Sequence, residues 1–301
     1  EKWDSLLDQL TIDELKELAG NGTFHVVATS SINLPYIYET DGPTAVNSFF
    51  TGKFGTAFPA PIMVASTWSK ELAVRFGTCI GNELCDFGFT GWNGPGMNIH
   101  RNAFSGRNFE YYSEDGYLSG CVAVAEIAAV RKLGIIPYMK HFVLNDSETD
   151  RARGICTWST EQAIREIYLK PFEMAIKEAD ANGIMNSKNS IGSRWIGSNA
   201  DVQNTIVRGE WGFKGIIGTD SLDAVSEYYE NQNEAVRAGT DKMLCMSYGD
   251  DYWADESAGT VIALRNAAHH ILYALSNSDA VDVHTGLPVW VYKFIAVDSI
   301  I

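Results

Sequence analysis

The sequence lacks a C-x-x-C pair, a long apolar run and an excess of positive charge. Its five cysteines are odd in number and scattered, which argues against a disulfide framework or a zinc site and favours a reducing, cytoplasmic location. The 301 residues carry 23 basic against 38 acidic side chains, a net charge of −15. Because this charge repels polyphosphates and anionic surfaces, we expect no nucleic-acid or membrane partner.

No stretch reaches the roughly 18 to 20 apolar residues of a membrane span. The N-terminus carries charges where a signal peptide needs an apolar run. The tail LPVWVYKFIAVDSII comes nearest to a span, but Lys293 and Asp298 interrupt it. We therefore expect one domain over residues 1–285, followed by a C-terminal apolar tail at 286–301.

Short apolar runs alternate with helical patterns along the chain. The runs lack the period-2 alternation of half-buried strands, so they fit strands that are buried on both faces. Alternation of such strands with helices predicts a parallel sheet in an α/β fold, here a (β/α)8 TIM-like barrel. A doubly wound open sheet is the alternative, but the glycine-rich phosphate turn expected early in that fold is missing. The runs lie at 34–42, 89–99, 135–142, 183–189, 215–221 and 240–247.

Polar side chains accumulate where these predicted strands end. In barrel enzymes the loops after the strand C-termini build the active site, so we expect these side chains to converge on one mouth. They include Asp41, Arg101, Arg107, Lys140, His141, residues 186–189 and Asp220.

Five ordered motifs identify the chain as similar to a known family. They are DGP at 41–43, GPGMNIHRNAFSGRNFEYYSED at 94–115, KHFVLNDSETDR at 140–151, GEWGFKG at 209–215 and GTDS at 218–221. Together they resemble the barrel domain of family 3 glycoside hydrolases, the β-glucosidase group, over about residues 1–285. The resemblance implies a glycosidase that acts on a glucoside or oligosaccharide and needs no metal or other cofactor.

The resemblance also implies residue roles. Asp220 matches the family's nucleophile, which forms a covalent glycosyl-enzyme in a retaining mechanism. Asp41 matches the carboxylate that holds sugar hydroxyls, and Arg107, Lys140 and His141 match the residues around the sugar next to the scissile bond. Basic side chains beside Asp220 would keep its carboxylate ionised.

Residue type indicates roles for three other positions. Trp92 is a candidate platform for the apolar face of the sugar, with core packing as the alternative. Arg101 and Glu110 are predicted to form a buried pair that braces the 94–115 loop.

The proton donor is missing from the predicted site. In the family that this chain resembles, the acid/base usually comes from a second α/β domain, which we do not find in this sequence. Its absence predicts weakened activity, since general acid catalysis is typically worth 10²- to 10⁴-fold. Glu148 or Asp146 could substitute, or a partner domain could supply the acid. A carbohydrate-binding domain that depends on such a partner is a further alternative.

Two lysines depart from the family pattern. Lys188 lies in a segment that is usually S-[aromatic]-N, and Lys242 replaces an apolar residue. A desolvated lysine is partly neutral and nucleophilic toward carbonyls, so an engineered amine-catalysis site of retro-aldolase type is an open alternative. The simpler interpretation is that Lys188 is solvated at the mouth and Lys242 snorkels to water.

Overall fold

The structure, a computed structural model, describes residues 2–222, 229–249, 252–253 and 255–281. The predicted tail at 286–301 lies outside the described residues. The helices are α1 (Lys2–Leu7), α2 (Ile12–Gly20), α3 (Pro61–Ser66), α4 (Lys70–Phe87), α5 (Gly116–Arg131), α6 (Glu161–Ala163), α7 (Lys170–Ala179), α8 (Gln232–Ala238) and α9 (Ala258–Ser276). The strands are β1 (His25–Val26), β2 (Ile37–Asp41), β3 (Asn47–Ser48), β4 (Lys53–Phe54), β5 (Gly91–Asn93), β6 (Ile136–Phe142), β7 (Cys156–Thr157), β8 (Gly183–Asn186), β9 (Ser190–Ile191), β10 (Arg194–Trp195) and β11 (Ile216–Gly218).

The main sheet contains eight strands in a mixed α/β fold. Its parallel part runs β11-β8-β6-β5-β2, and β3, β4 and β1 add antiparallel pairs beside β2. Five predicted apolar runs are thus confirmed as neighbouring parallel strands. All seven residues of β6 are buried, as expected for a strand covered on both faces.

The sixth predicted run, 240–247, pairs through isolated bridges instead of a regular strand. Gly218 bridges to Lys242 and Leu222 to Cys245, both in parallel, and Leu244 bridges in antiparallel to Asn21. These contacts extend the sheet from β11 towards the chain that precedes β1. The strand pairing of the described residues is an open path rather than a closed ring.

Local signals fix the helices that cover the sheet. Ser69 caps α4 by accepting a hydrogen bond from the Leu72 N–H, and α4 ends at Gly88, whose φ of +76° suits glycine. Asp115 caps α5 in the same way through the Leu118 N–H, at 2.8 Å. Both caps lie at loops that follow the strand C-termini, so they help to position the loops of the site.

Candidate active site

Asp220 follows β11, and its backbone and carboxylate form hydrogen bonds with three other residues. Its N–H donates to the Asn186 carbonyl at the end of β8, at 3.0 Å. One carboxylate oxygen accepts from the Ser221 N–H, and the other accepts from Arg151 Nη1, each at 2.7 Å. The side chain is 14% exposed, so it remains open to a ligand.

The charges around Asp220 favour its ionised form. Burial raises the pKa of this carboxyl, but the positive charges of Arg151, Lys188 and Arg107 outweigh burial, and the pKa lies below its ordinary value. The basic residues expected beside Asp220 are present. They favour the ionised state that a nucleophilic carboxylate needs.

His141 lies on the same side of the site. Its Nε2 is 3.8 Å from Asp220 Oδ2, and its Nδ1 lies 3.0 Å from the Tyr111 hydroxyl. Burial lowers the pKa of His141 well below its ordinary value, and the charges of Arg107 and Lys140 lower it further. The imidazole is therefore neutral and offers a hydrogen bond rather than a charge.

Lys140 and Asp41 form a second polar pair at the ends of β6 and β2. Lys140 Nζ donates to Asp41 Oδ1 at 2.7 Å, and the Asp41 side chain is 39% exposed while that of Lys140 is buried. Because Lys140 and His141 are consecutive, the pair is joined through the backbone to the surroundings of Asp220.

The predicted pair of Arg101 and Glu110 is wrong. Glu110 pairs instead with Arg107, three residues earlier, and Arg101 pairs with Asp146. The reason is the local 3₁₀ turn at Asn108–Glu110, which places Glu110 beside Arg107. Arg107 is itself close enough to Asp220 for that carboxylate to raise its pKa.

Trp92 is fully buried, and its indole N–H donates to the Gly42 carbonyl at 2.9 Å. The core-packing alternative predicts this burial of Trp92. A role for Trp92 as a sugar platform stays a prediction.

The sequence reasoning missed Arg151. It ends the KHFVLNDSETDR motif, and its guanidinium bridges Asp220 and Glu148, with Nε 2.9 Å from Glu148 Oε2. Asn145 donates to the other Glu148 oxygen at 2.9 Å. The sequence signal for Arg151 is its position in the motif that also contains Lys140 and His141. The loop sequence does not predict the direction of its side chain.

The two predicted alternative lysines are both buried, so the expectation that they reach solvent is wrong. Lys188 Nζ donates to the Ser221 carbonyl and lies 3.5 Å from Glu230 Oε2. Lys242 pairs with Glu39 and donates to the Tyr138 hydroxyl at 3.1 Å. Burial lowers the pKa of Lys242, although the charge of Glu39 opposes that effect.

The Glu39 cluster depends on a glycine. Tyr138 donates to Glu39 at 2.7 Å, although β5 lies between their strands β2 and β6. Gly91 occupies the intervening position, where a Cβ atom would lie 2.4 Å from Glu39 Cγ. Glu39, Tyr138 and Lys242 thus form a buried layer, two residues along β2 and β6 from the Asp41–Lys140 pair.

Two negative findings hold for the described part of the chain. It contains no cluster of three or more His, Cys, Asp or Glu side chains that could hold a metal ion. None of its helices has the length and apolar character needed to cross a membrane.

Comparisons with known proteins agree with the motifs. Residues 10–267 match the family described as the glycosyl hydrolase family 3 N-terminal domain. The chain is 34% identical to a β-glucosidase of Rhizobium radiobacter over 266 residues, which is 87% of this chain and 31% of that protein. It is 34% identical to β-glucosidase A of Butyrivibrio fibrisolvens, across 80% of this chain and 30% of that protein.

Solved structures show the same similarity. A β-glucosidase from Paenibacillus barengoltzii superposes with a TM-score of 0.84 at 31% identity, covering 94% of this chain and 34% of that one. β-Glucosidase 3B from Thermotoga neapolitana, in complex with α-D-glucose, gives a TM-score of 0.80 at 30% identity, covering 93% and 43%. The chain therefore spans about a third of the length of the curated relatives it matches.

Proposed function

The chain belongs to the glycosyl hydrolase family 3 N-terminal domain family, and on that basis we propose that it acts on β-glucosides by a retaining mechanism with Asp220 as the nucleophile. The observation that carries the proposal is the carboxylate of Asp220, which is partly open and lies among the positive charges of Arg151, Lys188 and Arg107. Such an environment keeps a carboxylate ionised, as attack on an anomeric carbon requires.

The proposed reaction has two displacements. A carboxylate oxygen of Asp220 bonds to the anomeric carbon, and the aglycone oxygen leaves with the electron pair of the glycosidic bond and accepts a proton from an acid. Water then bonds to the same carbon, gives up a proton to the conjugate base, and releases the ester of Asp220. Two inversions at one carbon leave the configuration retained.

The sugar would be held by the polar groups beside Asp220. Asp41 and Lys140 present an acceptor and a donor at the mouth, and Arg107 and neutral His141 add donors and an acceptor. Dense donors and acceptors in fixed positions select a polyhydroxylated ligand, since another ligand would leave them unpaired. Trp92 would act only indirectly, because it is fully buried and its indole N–H holds the Gly42 carbonyl next to Asp41.

We propose that the acid comes from a partner domain. The two internal candidates are already engaged, because Glu148 holds an ion pair with Arg151 and Asp146 holds one with Arg101. Each carboxylate is therefore held by a guanidinium group, although burial raises the pKa of Asp146 above its ordinary value. Activity of this chain on its own would accordingly be weakened, and a chain that only binds sugar until a partner joins is the limiting case.

The proposed fold of this domain is a closed (β/α)8-like barrel. The bridges of Gly218 to Lys242 and of Asn21 to Leu244 support closure, since they continue the sheet from β11 to the chain before β1, and β1 pairs with β2. The free thiols of all five cysteines support the cytoplasmic location that we propose.

An amine mechanism at Lys188 or Lys242 has less support. A Schiff base needs a neutral amine that a carbonyl compound reaches, and both lysines are buried against carboxylates. Turnover of para-nitrophenyl β-glucoside by the natural chain and by Asp220→Asn tests the proposal. Equal turnover of the two would overturn it.

A further inference from the structure

A cavity of about 670 Å³ lies away from Asp220, between α3, the loop that ends at Asp115, and the start of α5. Its walls include Trp68, His100, Glu114, Tyr117 and Cys121. None of the residues that contact Asp220 in the described part of the chain lines it. The volume falls within the range of roughly 300 to 1,000 Å³ that is usual for ligand pockets.

Trp68 is placed in this cavity at a conformational cost. It is 80% exposed, although it is one of the largest apolar side chains in the protein. Its φ of +57° lies in the left-handed region, which a bulky residue rarely adopts, and its N–H donates to the Ala65 carbonyl at 3.0 Å. A tryptophan at an exposed, left-handed position is unusual, and it leaves the indole face available to a ligand.

A second aromatic ring and polar side chains share the cavity with Trp68. Tyr117 is 65% exposed. His100 lines the cavity as a half-buried side chain whose Nε2 atom is itself buried, and Glu114 is exposed in the same wall. Exposed aromatic faces bind the apolar C–H face of a sugar, and the exposed carboxylate of Glu114 suits its hydroxyls.

We propose that this cavity is a second carbohydrate-binding site, which takes a glucosyl unit of a β-linked oligosaccharide. A neutral ligand also fits the net charge of −15, which disfavours anions. The choice of a β-glucosyl unit rests on the proposed function, but binding at Trp68 requires no hydrolysis. The site would hold the chain of a longer substrate while the catalytic centre acts on another part.

The test is calorimetric titration of the full chain with cellotetraose, in the Asp220→Asn background to prevent turnover. We expect two classes of site, of which Trp68→Ala and Tyr117→Ala weaken one by about tenfold or more, as loss of an aromatic anchor implies. Trp68→Phe should retain much of the binding. Phe49→Ala removes an aromatic ring that is 74% exposed outside this cavity, and it should change neither class.

A further variant separates binding from a structural role. Glycine tolerates a positive φ, so Trp68→Gly should leave the midpoint of thermal unfolding unchanged or raised while sugar binding is lost. A lowered midpoint in Trp68→Gly together with unchanged binding would overturn the proposal. A titration that shows a single class of sugar site, unaffected by the cavity variants, would also overturn it. So would a Trp68→Ala variant that reduces self-association in sedimentation without affecting sugar binding.

The experiments distinguish the failure of the second-site proposal from the failure of the proposed activity. Trp68-dependent binding by a chain that turns over no glucoside would support the second site and count against the proposed function. Turnover of para-nitrophenyl β-glucoside without Trp68-dependent binding would do the reverse.

Discussion

Arg151 Nη1 lies 2.7 Å from Asp220 Oδ2. The two residues come from loops after different strands, yet their side chains are largely buried together. The same guanidinium contacts Glu148, so one cation bridges two carboxylates. This arrangement orients Asp220 and holds Glu148 in an ion pair with the same cation.

Replacement of Arg151 by Met should impair the nucleophile in a pH-dependent way. Arg151 lowers the pKa of Asp220, so its loss raises that pKa, and the acidic limb of the kcat/KM profile should move to higher pH. We also expect at least about a tenfold loss in kcat/KM at neutral pH, since a hydrogen bond to a charged group contributes roughly 1.5 to 3 kcal/mol. Steady-state kinetics on an aryl glucoside measures both.

Arg153→Met is the matched control, because Arg153 lies two positions away with a side chain that is 74% exposed. Its profile should match that of the natural chain. An acidic limb that stays in place in Arg151→Met would contradict the role assigned to Arg151.

Activity should depend steeply on the leaving group. If the acid comes from a partner domain, as proposed, the aglycone oxygen leaves this chain as an anion, and the missing proton transfer costs about 10²- to 10⁴-fold for poor leaving groups. Rates across a series of aryl glucosides and cellobiose measure this dependence. Efficient hydrolysis of cellobiose would show an internal acid, and Glu148→Gln would then be the first variant to examine.

The buried pair of Lys242 and Glu39 should behave as a unit. Lys242→Met leaves a buried carboxylate without its cation, which should lower the free energy of unfolding by about 3 to 5 kcal/mol. The double variant with Glu39→Gln should recover much of this loss, because it removes both charges. Urea unfolding measures the cycle, with the exposed Lys53→Met as control, and a double variant as unstable as Lys242→Met would contradict the pairing.

Glu126 should make stability fall as pH rises. Burial raises the pKa of this carboxyl to about 8, although the Tyr112 hydroxyl donates to it. Between pH values of about 4.5 and about 8, the folded state keeps a proton that the unfolded state has released, so unfolding becomes easier by roughly 4 to 5 kcal/mol over that window.

Glu126→Gln should flatten this dependence, while the exposed Glu178→Gln should preserve it. Chemical unfolding at several pH values provides the comparison. Parallel pH profiles for the natural chain and Glu126→Gln would show that Glu126 is ionised in the folded protein.

The sequence predicted strands and family motifs better than side-chain partners. The apolar runs that became β5, β6, β8 and β11 are fully buried, as the absence of alternation predicted, whereas β2 exposes Tyr38. Lys140 and Asp220 follow from motifs because they lie at strand ends, where the backbone sets their position.

The sequence did not predict ion pairs between side chains that are distant along the chain. Lys242 pairs with Glu39, 203 residues earlier, and the pair forms because the sheet brings residue 242 back to the N-terminal strands. The sequence predicted Glu110 as the partner of Arg101, but a 3₁₀ turn places Glu110 beside Arg107, and Arg101 pairs with Asp146. Such choices depend on loop geometry that composition and spacing do not specify.

Covalent trapping tests the central claim most directly. A 2-fluoro-glucoside with a good leaving group should form a stable glycosyl ester, because fluorine slows both displacements and the good leaving group restores the rate of the first one only. Mass spectrometry of the digested chain should place one label on Asp220, and Asp220→Asn should take up none. A label on another carboxylate, or one that persists in Asp220→Asn, would contradict the account.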